Sequence, residues 1–273
     1  SYVRGGGTLI ATHETSLADE FGQPRGGFAL GDVFGLEYVR PEGKELHGIV
    51  YVPQTADLKA LLGLVLCFAG TESHVALSAG SSAEVLCTRG HLEAVNGLRD
   101  FHPQKQYDTG RPAITANRYG DGEAVYIGGD VGGAYAHNPH LPLKQLVSAL
   151  VRRAPAPLEV EAPQAIEVTA AYREDGEMII HLLNSPTPMV PLNMPEDVIA
   201  QFFIPQEINP VRDIVVHLNE IGAKRVWMPL SQVELNPEGP RGTIRVPQVH
   251  YHELLQVELQ QGSGTDNTER SQA

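Results

Sequence analysis

The stretch Gly120–His140, GDGEAVYIGGDVGGAYAHNPH, decides how the first half of this chain is read. A glycine-rich turn after a strand can cradle phosphate, one acid with two histidines can hold a metal, and the same residues can simply end a strand. The phosphate reading fails on spacing: a dinucleotide fingerprint needs G-x-G-x-x-G between strand and helix. Gly128, Gly129, Gly132 and Gly133 are spaced differently, and no Walker lysine follows. The metal reading rests on Asp130, His137 and His140, with Asp100 and His102 in RDFHPQKQY as a second pair. Among 11 histidines such neighbours arise by chance, and a glycine-rich loop has no helix to orient ligands. No metal and no cofactor is therefore expected. What remains is a strand, EAVYIGG, a connecting loop, DVGGAYAHNPH, and a helix, LPLKQLVSALVRR. In that helix Leu143, Leu146, Val147, Leu150 and Val151 recur at helical spacing, and Pro142 is tolerated in the first turn.

Toward the N-terminus, TLIAT, HGIVYV, LGLVLCF, AEVLCT and PAITANRY are near-continuous apolar runs separated by loops and helical segments. Such runs suit strands of a sheet covered on both faces, so an α/β domain with a parallel sheet is expected over residues 1–153. SYVRGGG reads as the last turn of a helix with a glycine cap, so the chain is expected to begin in mid-domain. Toward the C-terminus, APAPLEVEAP (154–163) is too rich in proline for a helix and reads as a linker. Beyond it the period changes. AIEVTAAYRE and EMIIHLLNS flank Asp175-Gly176, a hairpin signal, and RDIVVHLN, AKRVWMPL, GTIRVPQ and YHELLQVEL follow as short strands. An all-β sandwich of immunoglobulin-like type is expected over 164–259, with the proline-rich segment 185–210 as a long connection across one edge. Residues 260–273 have too little apolar content to offset ordering entropy and are expected to form a disordered tail.

Bulk properties exclude several classes. A net charge of -13, from 20 basic and 33 acidic residues, opposes contact with nucleic acid. No apolar run approaches the ~20 residues of a membrane span. The chain is expected to be soluble, with the cytoplasm favoured over secretion. Cys67 and Cys87 lie inside apolar runs and read as small buried hydrophobes. Cys67 in LVLCFAG is not at a Gly-x-Cys-x-Gly elbow, which argues against a nucleophile.

Two carboxylates deserve comparison, because glycoside hydrolysis uses a pair of them. Glu14 in ATHETSLADEFG and Asp130 in GGDVGG each follow a strand, so both can stand at the carboxyl edge of one parallel sheet, where such sheets place ligands. The bland alternative is helix capping, for which Thr15, Ser16 and Asp19 are also suited. Tyr135, His137 and Trp227 are candidate sugar contacts, although Trp227 in RVWMPL reads first as a core tryptophan of the sandwich.

Taken together, YVRGGGTLIATHETSLADEFG, FALGDVFGLEY and RPAITANRYGDGEAVYIGGDVGGAYAHNPHLPLKQLVSALVRRAP resemble the second half of the beta-galactosidase trimerisation domain. That domain is a glutamine-amidotransferase-like (flavodoxin-like) module of large bacterial glycoside hydrolases. PLEVEAPQAIEVTAAYREDGEMIIHLLNSP is similar to the β-sandwich that follows it. The resemblance implies a partial flavodoxin-like sheet, a catalytic (β/α)8 barrel preceding this region, and loss of the amidotransferase triad. It also implies self-association through the α/β module, with carbohydrate at a subunit interface. On that basis Glu14, Asp130, Tyr135 and His137 are candidates for substrate or interface contact, and none is assigned a catalytic role. The leading expectation is the noncatalytic C-terminal region of a glycoside hydrolase. A carbohydrate-binding module and a stand-alone amidotransferase-type hydrolase are the competing ones.

Overall fold

The computed structural model describes residues 1–42, 49–62, 67–69, 74–80, 82–92, 106–137, 140–173, 176–185, 208–219, 222–240 and 242–259. Within these, the side chains of Cys67, His137 and a few others lie outside the description. The segment 186–207, the tail 260–273, Asp175, and the pair Asp100 and His102 also lie outside it. The described chain is predominantly β and divides into two compact units, Ser1–Ala154 and one beginning at Pro155.

In the first unit, β1 (Thr8–Thr12), β3 (Ile49–Pro53), β4 (Cys67–Ala69), β6 (Ala83–Leu92), β7 (Gln106–Tyr119) and β8 (Gly122–Ile127) form one sheet in the order β1-β8-β7-β6-β3-β4. A separate antiparallel pair is made by β2 (Leu36–Glu42) and β5 (His74–Ala79). Four helices accompany them: α1 (Gly31–Phe34), α2 (Ala56–Leu62), α3 (Val131–His137) and α4 (Leu141–Val151). The alternation of β8 explains why its run Ala124–Ile127 is apolar without a break. Val125 and Ile127 enter one core with Leu58, Leu62, Leu143, Leu146 and Leu150, while Ala124 and Tyr126 enter another with Phe34, Leu36 and Leu77. Each of the three α4 leucines is essentially inaccessible to solvent, and such burial stabilises by about 1.5–3 kcal/mol per side chain. The second core adds an edge-to-face cluster in which Phe28 meets Tyr126 at 5.0 Å and Phe34 at 5.8 Å between ring centres.

The expected parallel sheet is corrected by the strand directions. Only β1 and β8 run parallel; β8-β7, β7-β6, β6-β3 and β3-β4 are antiparallel. An apolar run reports burial on both faces, and burial is indifferent to strand direction. Direction is set by the connection, and here Gly120-Asp121 joins β7 to β8 as a two-residue hairpin. Gly120 takes φ +67°, the left-handed conformation that such a turn asks of its first central residue.

The second unit holds two antiparallel sheets around one core. The larger has the order β10-β11-β16-β13-β14, from β10 (Ile166–Tyr172), β11 (Met178–Asn184), β13 (Ala223–Met228), β14 (Val233–Leu235) and β16 (His252–Leu259). The smaller is β15-β12-β9, from β9 (Leu158–Glu161), β12 (Val211–Leu218) and β15 (Thr243–Val249). Ile180, Leu182, Ile214, Val216, Ile244, Val246, Leu255 and Val257 from both sheets share the core. The hairpin expected around Asp175-Gly176 joins β10 to β11, with Gly176 donating to the Arg173 carbonyl at 3.0 Å.

The stretch 154–163 is not wholly a linker: Leu158–Glu161 is the strand β9, paired with β12. Proline excludes helix there but not an edge strand. His217 of β12 secures it, its ring meeting Glu161 Oε1 at 2.9 Å on one side and Thr243 Oγ1 at 3.0 Å on the other.

Candidate functional site

The parallel pairing of β1 with β8 sets Thr12 beside Ile127, so the loops carrying Glu14 and Asp130 leave the sheet from the same edge. The loop after β1 is tightly bound to β8. His13 N–H donates to the Ile127 carbonyl at 2.8 Å, and the Tyr126 hydroxyl donates to the His13 carbonyl. His13 and Ser16 both take left-handed backbone conformations, φ 48° and 68°, which cost a non-glycine residue about 1 kcal/mol or more and persist where neighbours enforce them. Ser16 Oγ and the Ser16 carbonyl accept from Leu30 N–H and Ala29 N–H, tying the loop to the approach to α1. Burial, and after it the Glu14 carboxylate, push the Tyr126 phenol above its ordinary pKa.

Glu14 itself is exposed. Asp130 is engaged: its Oδ1 accepts from Gly133 N–H at 2.8 Å and so caps the first turn of α3. A Cβ on Gly133 would stand 2.2 Å from Asp130 Oδ2, so only glycine admits the carboxylate at that distance. Capping, the bland alternative for this residue, is thus the role its contacts describe.

Tyr135 lies on α3, partly buried against the first core. It borders a largely apolar groove of about 220 Å³ between α3 and α4, with Val131, Leu143, Lys144 and Val147. His137 closes α3, and its side chain lies outside the description. His140 caps α4, its Nδ1 accepting from Leu143 N–H at 3.4 Å. Among the described residues no group of three or more His, Cys, Asp or Glu is placed to hold a metal ion. No described helix is long and apolar enough to cross a membrane. Cys87 is fully buried in the first core.

Trp227 corrects the expectation of a core tryptophan. On β13, Val226 and Met228 point into the sandwich core, and the period of two turns Trp227 to the outer face. There the partly exposed indole forms an open hollow of about 150 Å³ with Glu177, Arg225, Gln256 and Glu258. The signal was present in the alternation of AKRVWM, which separates Trp227 from Val226 and Met228 and groups it with Arg225. None of the other four hollow residues is marked by a motif.

No family model and no curated protein matches this chain. Among solved structures it is similar to alpha-L-fucosidase isoenzyme 2 from Paenibacillus thiaminolyticus, with TM-score 0.67 and 17% identity over 95% of this chain and 42% of that one. It is also similar to the beta-galactosidase from Bacillus circulans sp. alkalophilus, with TM-score 0.52 and 16% identity over 94% of this chain and 30% of the other. The beta-galactosidase from Rahnella sp. R3 gives TM-score 0.51 and 16% identity over 95% and 29%. At these identities the likeness is one of fold. The chain spans less than half the length of each of these structures.

Proposed function

We propose that this chain is a noncatalytic C-terminal region of a glycoside hydrolase, made of an assembly module and a β-sandwich, with the glycosidic bond cleaved by a barrel elsewhere in the parent protein. One observation carries this reading: 95% of this chain matches 42% of the fucosidase, a minor part of that glycoside hydrolase. The capped state of Asp130 and the exposure of Glu14 support it as well, because neither carboxyl sits in the desolvated, paired setting that glycoside chemistry uses. The first unit then corresponds to the trimerisation module of beta-galactosidases, with much of its sheet rebuilt antiparallel. The edge with Glu14, Asp130, Tyr135 and His137 is its interface face.

Assembly is tested by light scattering on the purified chain over a range of concentrations. Self-association that is lost on Glu14→Arg with Tyr135→Ala supports the interface, and a monomer at every concentration contradicts it for this chain. The noncatalytic half of the proposal is tested separately, by turnover of aryl glycosides.

A further inference from the structure

The hollow beside Trp227 has the makings of a binding site, and it stands on the second unit alone, independent of any activity of the parent. Its floor is the outer face of the larger sheet, where Trp227 of β13 lies directly opposite Gln256 of β16, which in turn lies opposite Ile179 of β11. Its rim is a set of polar side chains already fixed by one another. Gln256 Nε2 donates to Glu177 Oε2 at 2.8 Å, and Arg173 Nη1 reaches the same oxygen at 3.2 Å. Arg225 Nη2 holds Glu234 Oε2 at 2.9 Å, and Lys224 Nζ holds Glu258 Oε1 at 2.6 Å. Exposed ion pairs of this kind add little to stability, so their chief effect is to hold the polar heads in place around the indole.

Three features choose the ligand. The first is the indole: its negative face attracts the weakly positive C–H groups of a sugar ring, as it attracts other positive edges. Arg225 Cζ lies over the indole 5.9 Å from the ring centre, at the outer limit of a cation-π contact, so the guanidinium is held there only weakly and a stacking sugar ring can take its place. The second is the rim, where carboxylates, a carboxamide and a guanidinium offer the adjacent acceptors and donors that vicinal hydroxyls need. The third is charge. Among the described residues Glu177, Glu234 and Glu258 are matched by Arg173, Arg225 and Lys224, so these charges favour neither an anion nor a cation. At about 150 Å³ the hollow is well below the ~300 Å³ at which drug-sized pockets begin, and so takes one ring.

We infer that this hollow is a saccharide-binding subsite that stacks one pyranose ring of a neutral sugar on Trp227, with Gln256, Arg225, Glu177 and Glu258 bonding its hydroxyls. The test uses the fact that Trp227 is the sole tryptophan, so intrinsic fluorescence reports this position alone. The full chain is titrated with D-galactose, L-fucose, D-glucose, D-mannose and their methyl glycosides. The expected result is a saturable fluorescence change with at least one of them, weakened about tenfold or more by Gln256→Ala and left intact by Lys59→Ala, a change at an exposed residue of the first unit. Saturation-transfer NMR on the same sugars gives a second readout, which Trp227→Ala should abolish while its circular dichroism stays that of the parent chain. No saturable response up to about 100 mM of any of the sugars overturns the inference, since a Kd of that size would still half-saturate the site. Binding that survives both Gln256→Ala and Trp227→Ala undiminished overturns it equally.

Discussion

Arg153 grips both carboxylate oxygens of Glu123, Nη2 to Oε1 at 2.7 Å and Nε to Oε2 at 2.8 Å, and so ties the chain just after α4 to the start of β8. The fork matches the carboxylate plane, and the Glu123 side chain is only 14% exposed, so the pair is shielded more than a surface ion pair. The hydrogen bond from Arg153 holds the Glu123 carboxyl below its ordinary pKa, and Glu123 raises that of Arg153 in return. A carboxyl with a lowered folded pKa contributes stability in full above its unfolded value, here 4.5, and loses it as pH falls through the folded value. Glu123→Gln should therefore cost about 1–3 kcal/mol at neutral pH and flatten the acid limb of the first unit's stability curve below that value. Urea midpoints measured across pH for both forms check this, and parallel acid limbs would contradict it.

The Asp130 cap separates structure from chemistry. Asp130→Asn keeps a good capping side chain and should change stability by less than about 0.5 kcal/mol, while Asp130→Ala should cost about 1 kcal/mol. Gly133→Ala should cost at least as much, because its methyl group would occupy the position of Asp130 Oδ2. Thermal denaturation of the three variants orders them. A loss in Asp130→Asn equal to that in Asp130→Ala would show that the charge matters beyond capping.

Tyr126 is expected to anchor the loop that presents Glu14. Removing its hydroxyl in Tyr126→Phe takes this hydrogen bond from the His13 carbonyl and should cost about 1–2 kcal/mol. The pH dependence has the opposite sense to that of Glu123. A phenol with a raised folded pKa contributes stability in full below its unfolded value, 10.0, and loses it as pH rises toward the folded one. Wild type should weaken on the alkaline side more steeply than Tyr126→Phe in chemical denaturation, and equal alkaline slopes would contradict the assignment.

How much of this was legible follows from what each signal measures. Helix α4 was legible because Leu143, Leu146 and Leu150 repeat at the helical period and Pro142 marks its first turn. Most strands were legible for the same reason, since apolar period and turn residues are local, but β2, β5 and β14 were not marked, and DVGGAYAHNPH, read as a loop, holds the helix α3. Strand direction was not, because Val125 and Tyr126 are equally buried whichever way their neighbours run. Leu158–Glu161 was hidden among prolines, its place in the sheet depending on His217, far along the chain. Trp227 was misread because large aromatic residues are associated with cores, although its own strand register puts it outside. At the candidate edge, the common origin of the Glu14 and Asp130 loops was readable from the strands preceding them. The contact that occupies Asp130 was not, because it needs the backbone of α3 in place.

The most direct measurement is turnover of a panel of aryl glycosides, galactosides and fucosides included, by the purified chain at high enzyme concentration. A noncatalytic region releases no aglycone above the blank, and Glu14→Gln and Asp130→Asn leave that null result unchanged. Saturable turnover by the chain, abolished by either substitution, would contradict the account and place the reacting carboxylates at the β1-β8 edge.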